Sequence, residues 1–142
     1  MPRALHIISK KAPFKEIIGH GDFQYGVDRD WGNLDPMSTP VKNCHEMVQD
    51  RFGRLIMITD ETKNNIIIYD KSGKYLASWG SSFPDGHGLT LSDEGDAEYL
   101  WICDNGFGGN PQVVKTTLEG REVMRLPAPK DIGVYPETDN FY

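Results

Sequence analysis

The sequence predicts an all-β chain built from two copies of a four-stranded antiparallel unit. Three observations carry this expectation. One pattern occurs twice, at residues 44–80 and 86–127. Its apolar runs are short and rich in β-branched and aromatic residues, as strands are. And no stretch of about twelve residues holds a helical stripe free of Gly or Pro.

The copies align residue by residue. His45 answers to His87 at a spacing of 42, Asp60 to Asp104 at 44, and Gly73 to Gly120 at 47. A period in the forties that drifts through loop insertions marks a repeat architecture. The first strand opens near His45, with Met47 and Val48, or near His87, with Leu89 and Leu91. A polar turn follows, Asp50 to Gly53 in one copy and Ser92 to Glu98 in the other. The second strand is LIMITD (55–60) or YLWICD (99–104), and the third is NIIIYD (65–70) or QVVKTT (112–117). Turns at Lys71-Ser72-Gly73 and Leu118-Glu119-Gly120 place a glycine where the backbone needs a positive φ. The fourth strand is KYLASWG (74–80) or REVMRLP (121–127), and FKEIIG (14–19) echoes it upstream. A short turn of helix is expected in the 28–40 region.

Composition bounds the function. The chain has 142 residues, 38% hydrophobic and 11% aromatic, enough for a core, with 25% charged. Asp and Glu number 21 against 15 Lys and Arg, a formal charge of -6. Nucleic-acid binding needs a basic face and is not expected. No apolar run approaches the roughly 18 residues of a membrane span, so no membrane partner is expected. The opening MPRALHIISKK has no apolar stretch of signal-peptide length, which favours the cytoplasm. Cys44 and Cys103 read as two buried free thiols of a reducing compartment, and no CxxC or Cys/His zinc spacing occurs.

GHGDFQYGVDRDWGNL (19–34), the two His-led strands, the ITD and ICD strand ends and YDKSGKYLASWG (69–80) together resemble the NHL-repeat group of six-bladed β-propellers. The resemblance covers about residues 14–142 and implies blades of four antiparallel strands. Residues 1–43 are then a lead-in with a ring-closing type of strand at 14–19, 44–80 blade one, 86–127 blade two, and 128–142 a linker toward a third blade. A propeller needs about four to eight blades. The expectation is therefore an N-terminal part of a longer protein, about two blades of an incomplete ring. Assembly of short chains into one ring is the rival.

His45 and His87 are the notable pair. Both open the first, innermost strand of a unit, so both can face a central channel. Imidazole ligates zinc and similar metals, and equally serves as a repeated structural group. Among NHL propellers, the peptidyl-hydroxyglycine amidating lyases use metal-binding histidines, and GHGLTL is similar to one segment that carries such a residue. That resemblance implies His87 as a metal ligand and the Leu89 backbone carbonyl as a contact to a channel calcium. It implies zinc or calcium only for the full-length protein, and the cofactor itself stays unknown. The chain departs from the lyase at Thr59-Asp60-Glu61, where that family has a catalytic Arg-Gly, and at His45, where it places no zinc ligand.

The remaining candidates read as structural. Asp60 and Asp104 are expected to cap turns. Asp93, Glu94, Asp96 and Glu98 form a solvated acidic turn without the EF-hand spacing. Gly106, Gly108 and Gly109 form a loop without the lysine of a phosphate site. Trp31, Trp79 and Trp101 pack between blades, and no Ser or Cys sits in a nucleophile motif. Two functions follow as expectations: a binding scaffold, with a small-molecule or protein ligand at the channel mouth, or a metal-dependent enzyme completed by further blades.

Overall fold

A computed structural model describes residues 16–106 and 111–127. They form ten strands and, among the described residues, no helix. A hairpin pairs β1 (Glu16–His20) with β2 (Phe23–Val27). The first four-stranded sheet runs in chain order, β3 (Cys44–Gln49), β4 (Leu55–Thr59), β5 (Ile66–Tyr69) and β6 (Tyr75–Trp79). The second does the same with β7 (Gly86–Asp93), β8 (Glu98–Asp104), β9 (Gln112–Thr117) and β10 (Glu122–Pro127). All strand pairs are antiparallel.

The eight strands expected between residues 44 and 127 form where the repeat places them. Gly73 and Gly120 adopt φ of 85° and 90°, and each N–H closes its turn on Asp70 or Thr117 at 3.0 Å. Two details differ. The upstream strand is paired, because Gly21 turns the chain back and β2 zips against β1. In the 28–40 region a single turn replaces helix: Ser38 and Thr39 donate to the Asp35 carbonyl at 3.2 and 2.8 Å. Pro40 stops its propagation, since a proline disfavours helical geometry in the residue before it. Residues 1–15, the first part of the lead-in with Phe14 and Lys15 of the upstream strand, and the linker at 128–142 lie outside the described residues, as do Gly108 and Gly109.

The core has two layers. Ile56, Ile58, Ile66 and Ile68 of the first sheet, with Phe83, meet Leu89, Leu100, Ile102, Val114 and Leu118 of the second. On its other face the first sheet packs Leu55, Met57, Ile67 and Tyr69 against Trp31, Leu34 and Val41 of the lead-in and Tyr75. Two indoles lock these layers in the same way. Trp79 Nε1 donates to the Leu118 carbonyl at 3.0 Å, and Trp31 Nε1 to the Lys71 carbonyl at 3.3 Å. Lys71 and Leu118 are repeat equivalents, so each indole docks on the third turn of the sheet that follows it. A Cβ at Gly73 or Gly120 would meet the ring at 3.1 or 2.7 Å, so the turn glycine also makes room for the indole. Trp101 instead lies half-buried on the far face of the second sheet.

Strand register corrects one equivalence. Cys44 pairs with Thr59, while Gly86, its counterpart at the 42-residue spacing, pairs with Asp104. Asp104 therefore occupies the place of Thr59, and Asn105 that of Asp60. Hydrogen bonding agrees: Thr59 Oγ1 accepts from Glu61 N at 3.1 Å and Asp104 Oδ1 from Gly106 N at 2.9 Å, each two residues on. The matched ITD and ICD endings concealed the slip, because both place an aspartate just after a buried run.

Candidate functional site

β3 and β7 are edge strands of their sheets, and they lie against each other. Each opens with the same irregularity. The register shifts between Cys44 and Glu46 in β3 and between Gly86 and Gly88 in β7, so His45 and His87 are the extra residues of two equivalent β-bulges. A bulge turns its extra side chain out of the regular alternation and is common beside functional sites. Both histidines are exposed, and their rings stack with centroids 4.2 Å apart and planes 24° from parallel.

The surroundings explain how the rings reach each other. Gly86 lets β7 close on the first sheet, since a Cβ there would lie 3.2 Å from Ile58 Cδ1 and 3.1 Å from Phe83 Cβ. Glu46 reaches across, and its Oε2 accepts the Leu89 N–H at 2.7 Å. Gly88, where a Cβ would press on Cys103 at 3.1 Å, keeps that strand edge low. The Gly-His-Gly sequence thus has a packing reason at both glycines. The Leu89 side chain is buried in the core. The N–H and C=O of one residue in an extended strand project to the same edge, so its carbonyl faces the side on which Glu46 sits.

These residues do not fit one metal shared by the two histidines in this arrangement. Imidazole lone pairs lie in the ring planes, and Zn–N bonds are about 2.0–2.1 Å long. Two rings stacked face to face direct those lone pairs side by side instead of toward one point. Among the described residues, no group of three or more His, Cys, Asp or Glu side chains is placed to hold a metal ion. A structural role through a neighbouring backbone is not what the rings adopt either: their contact is the stack.

The other sequence candidates are structural where described. Asp60 accepts from Asn43 N and Nδ2, both at 2.8 Å, and faces Lys42 Nζ at 3.5 Å. Burial alone would raise its pKa, but these hydrogen bonds and the Lys42 charge outweigh it and hold the carboxyl below its ordinary value. Burial dominates at Asp104 and pushes its carboxyl up, against the N–H groups of Gly106 and Asp85. The cysteines are free thiols, as expected, but Cys44 is exposed and Cys103 half-buried, because residue 44 opens an edge strand and Cys103 lies on the far face of the second sheet. Burial raises the pKa of both thiols, reinforced by Asp60 at Cys44 and by Glu46 at Cys103, so neither is an activated nucleophile.

The acidic turn does more than meet solvent. At the far ends of β3 and β7, Arg51 joins the two hairpins: its N–H lies 3.0 and 3.1 Å from the Glu98 carboxylate oxygens, and its guanidinium contacts Glu98 and Asp93 at 3.2 and 2.9 Å. The Glu98 side chain is only 5% exposed. Glu98, expected in a solvated turn, is instead buried by this pairing, and Arg51 and Glu46 escaped the sequence reading, because nothing local signals a pairing across more than forty residues. Compared with family models, curated proteins and solved structures, the chain matches none of them.

Proposed function

We propose that the chain is a binding scaffold made of propeller-type blades, two units of a six-bladed ring of the NHL-repeat kind. It holds its ligand at the rim where β3 and β7 meet. The supporting observation is the paired bulge: the same irregularity occurs in both copies and delivers two exposed imidazoles to one place. A repeated bulge disrupts the strand ladder twice, and packing gains nothing from leaving both rings in water. The ligand is a small polar molecule or a peptide that hydrogen-bonds the in-plane nitrogens, which act as donor or acceptor according to tautomer. Glu46 is a positioning residue, since it ties β3 to the Leu89 backbone and so sets the distance between the rings.

The test is imidazole NMR of the full chain, titrated with a panel of small carboxylates, amides and short peptides, and separately with Zn2+ and Ca2+. A panel member that shifts both His45 and His87 resonances, and no longer binds the His87→Ala variant, supports the reading. Failure of every organic member to shift either ring overturns it. A stoichiometric shift of both rings by Zn2+ alone replaces it with the metal-site alternative.

A further inference from the structure

The two units differ at the place where each receives its indole. Strand register sets Tyr69 opposite Leu55 in the first sheet and Thr116 opposite Leu100 in the second. The spacing of 47 residues that joins Gly73 to Gly120 joins these two positions as well. Thr116 therefore stands where the first unit has Tyr69. The Tyr69 ring is 3% exposed and meets Trp31, the indole docked on its own sheet, with ring centroids 5.2 Å apart. Trp79 is the corresponding indole of the second sheet, and a threonine brings no ring to it.

The missing ring leaves a cleft of about 230 Å3 between Trp79 with the segment after it and the strands β9 and β10. Val114 and Thr116 line its buried part, and Ser81, Ser82, Glu119 and Glu122 its exposed mouth. In the first unit, the hollow beside Gly73 is lined by Asp30, Asn33 and Tyr75 and reaches neither Trp31 nor Tyr69. Strand alternation puts the Thr116 side chain on the face of Val114, which is turned toward Trp79. Thr116 is 2% exposed, and among the described residues its hydroxyl is the one buried side-chain polar group without a hydrogen-bond partner. Such a group costs stability, and a valine of the same shape would remove the cost.

We propose that this cleft is a binding site for a neutral sugar, one pyranose ring seated beside Trp79 where the first unit seats its own Tyr69 ring. The volume lies below the roughly 300–1,000 Å3 of drug-sized sites and suits a single ring. The polar groups select the ring's chemistry. The Thr116 hydroxyl both donates and accepts, as a sugar hydroxyl does, and the serines repeat that capacity at the mouth. Trp79 and Val114 offer apolar surface to the C–H face of the ring. Glu119 and Glu122 outnumber Arg125, so the lining disfavours an anion. A cation at the floor would meet only a neutral hydroxyl. This site lies at the β6 and β10 edges of the sheets, opposite the β3 and β7 edges that carry the histidines, so it stands apart from the ligand reading above.

The test follows the three indole N–H resonances of the full chain during titration with D-glucose, D-galactose and D-mannose, and separately with phenol. At least one sugar is expected to shift Trp79 saturably and to leave Trp31 and Trp101 in place as internal references. Thr116→Val is expected to weaken that binding about tenfold while the thermal midpoint holds or rises. Thr116→Tyr, which restores the ring of the first unit, is expected to fill the cleft and abolish binding. Absence of a saturable Trp79 shift with every sugar overturns the proposal. So does binding of phenol but of no sugar, which would make the cleft an aromatic site, and so does an unchanged sugar affinity in Thr116→Val.

Discussion

The two four-stranded sheets share a repeat and a topology but differ in what covers them. Strands β4 and β5 are buried along their whole length, while in β8 buried and half-buried residues alternate. The difference is written in composition. LIMIT and IIIY are continuous apolar runs, the signature of a strand covered on both faces. YLWIC and QVVKT instead place Tyr99, Trp101 and Lys115 on the far face, suiting a surface that is partly wet. One four-stranded unit can thus be covered on both faces or on one, according to which alternate residues its strands carry.

Several substitutions would break or sharpen that contrast. The largest effect is expected at equivalent core positions. Ile66→Ala should cost about 2–5 kcal/mol in urea unfolding, while Val113→Ala should cost less than about 1.5 kcal/mol. Equal losses would mean that the second sheet is covered as fully as the first.

The buried amide of Asn65 comes next: its Nδ2 donates to the Phe83 carbonyl at 2.8 Å and its Oδ1 accepts the Phe83 N–H at 3.1 Å. Asn65 is fully buried and also donates to the Thr59 and Glu61 carbonyls at 3.1 and 3.2 Å. Asn65→Ala leaves several backbone groups without partners and should cost about 2–3 kcal/mol. Gln112→Ala removes an exposed bond to the Ser82 carbonyl and should cost less than about 1 kcal/mol. A Gln112 penalty as large as that of Asn65 would show that its bonds to Ser82 and Arg125 are as well shielded as those of Asn65.

Smaller effects are expected at the indoles. Trp79→Phe and Trp31→Phe each keep an aromatic ring and lose one hydrogen bond, a change of about 0.5–1.5 kcal/mol. Trp79 should lie at the upper end, because its bond is shorter and its ring is held between two sheets, whereas Trp31 rests on one. Reversal of that order in thermal unfolding would place the lead-in, not the second sheet, as the firmer layer.

The smallest effect is a pair of opposed pH slopes. Asp60 has a folded pKa below its ordinary value of 3.8, so it stabilises the fold above that value and loses this as pH falls through the folded pKa. Asp104 has a raised folded pKa, so its contribution is present below 3.8 and is lost as pH rises through the raised value. The penalty of Asp60→Asn should therefore shrink in acid, and that of Asp104→Asn should shrink toward neutrality. Carboxyl NMR titration provides the direct check, and parallel shifts at the two residues would contradict the assignment.

Much of the fold was legible because it rests on local signals. Ile66 to Tyr69 between polar turns can be little but a strand, and Gly73 and Gly120 announce their turns. The second strand of the lead-in hairpin, Phe23–Val27, was not legible, since Gly26 and the glutamine at 24 blur its pattern. The histidine pair was legible as a repeat, but its stacking was not. That depends on bulges which no residue type encodes and on Glu46 reaching a backbone N–H 43 residues away.

The sequence alone determined the eight strands of the repeat, their turns and the acidic composition, because each strand and turn depends on residues within a few positions of one another. Only the tertiary structure decided which aspartate matches which, where the bulges fall, and which faces are covered. Those outcomes come from register and from sheet-to-sheet packing, where a slip of one residue exchanges the two faces of a strand. The stacked rings of His45 and His87 are the clearest case: two equivalent positions of the repeat, 42 residues apart, brought together by the closing of one sheet on another.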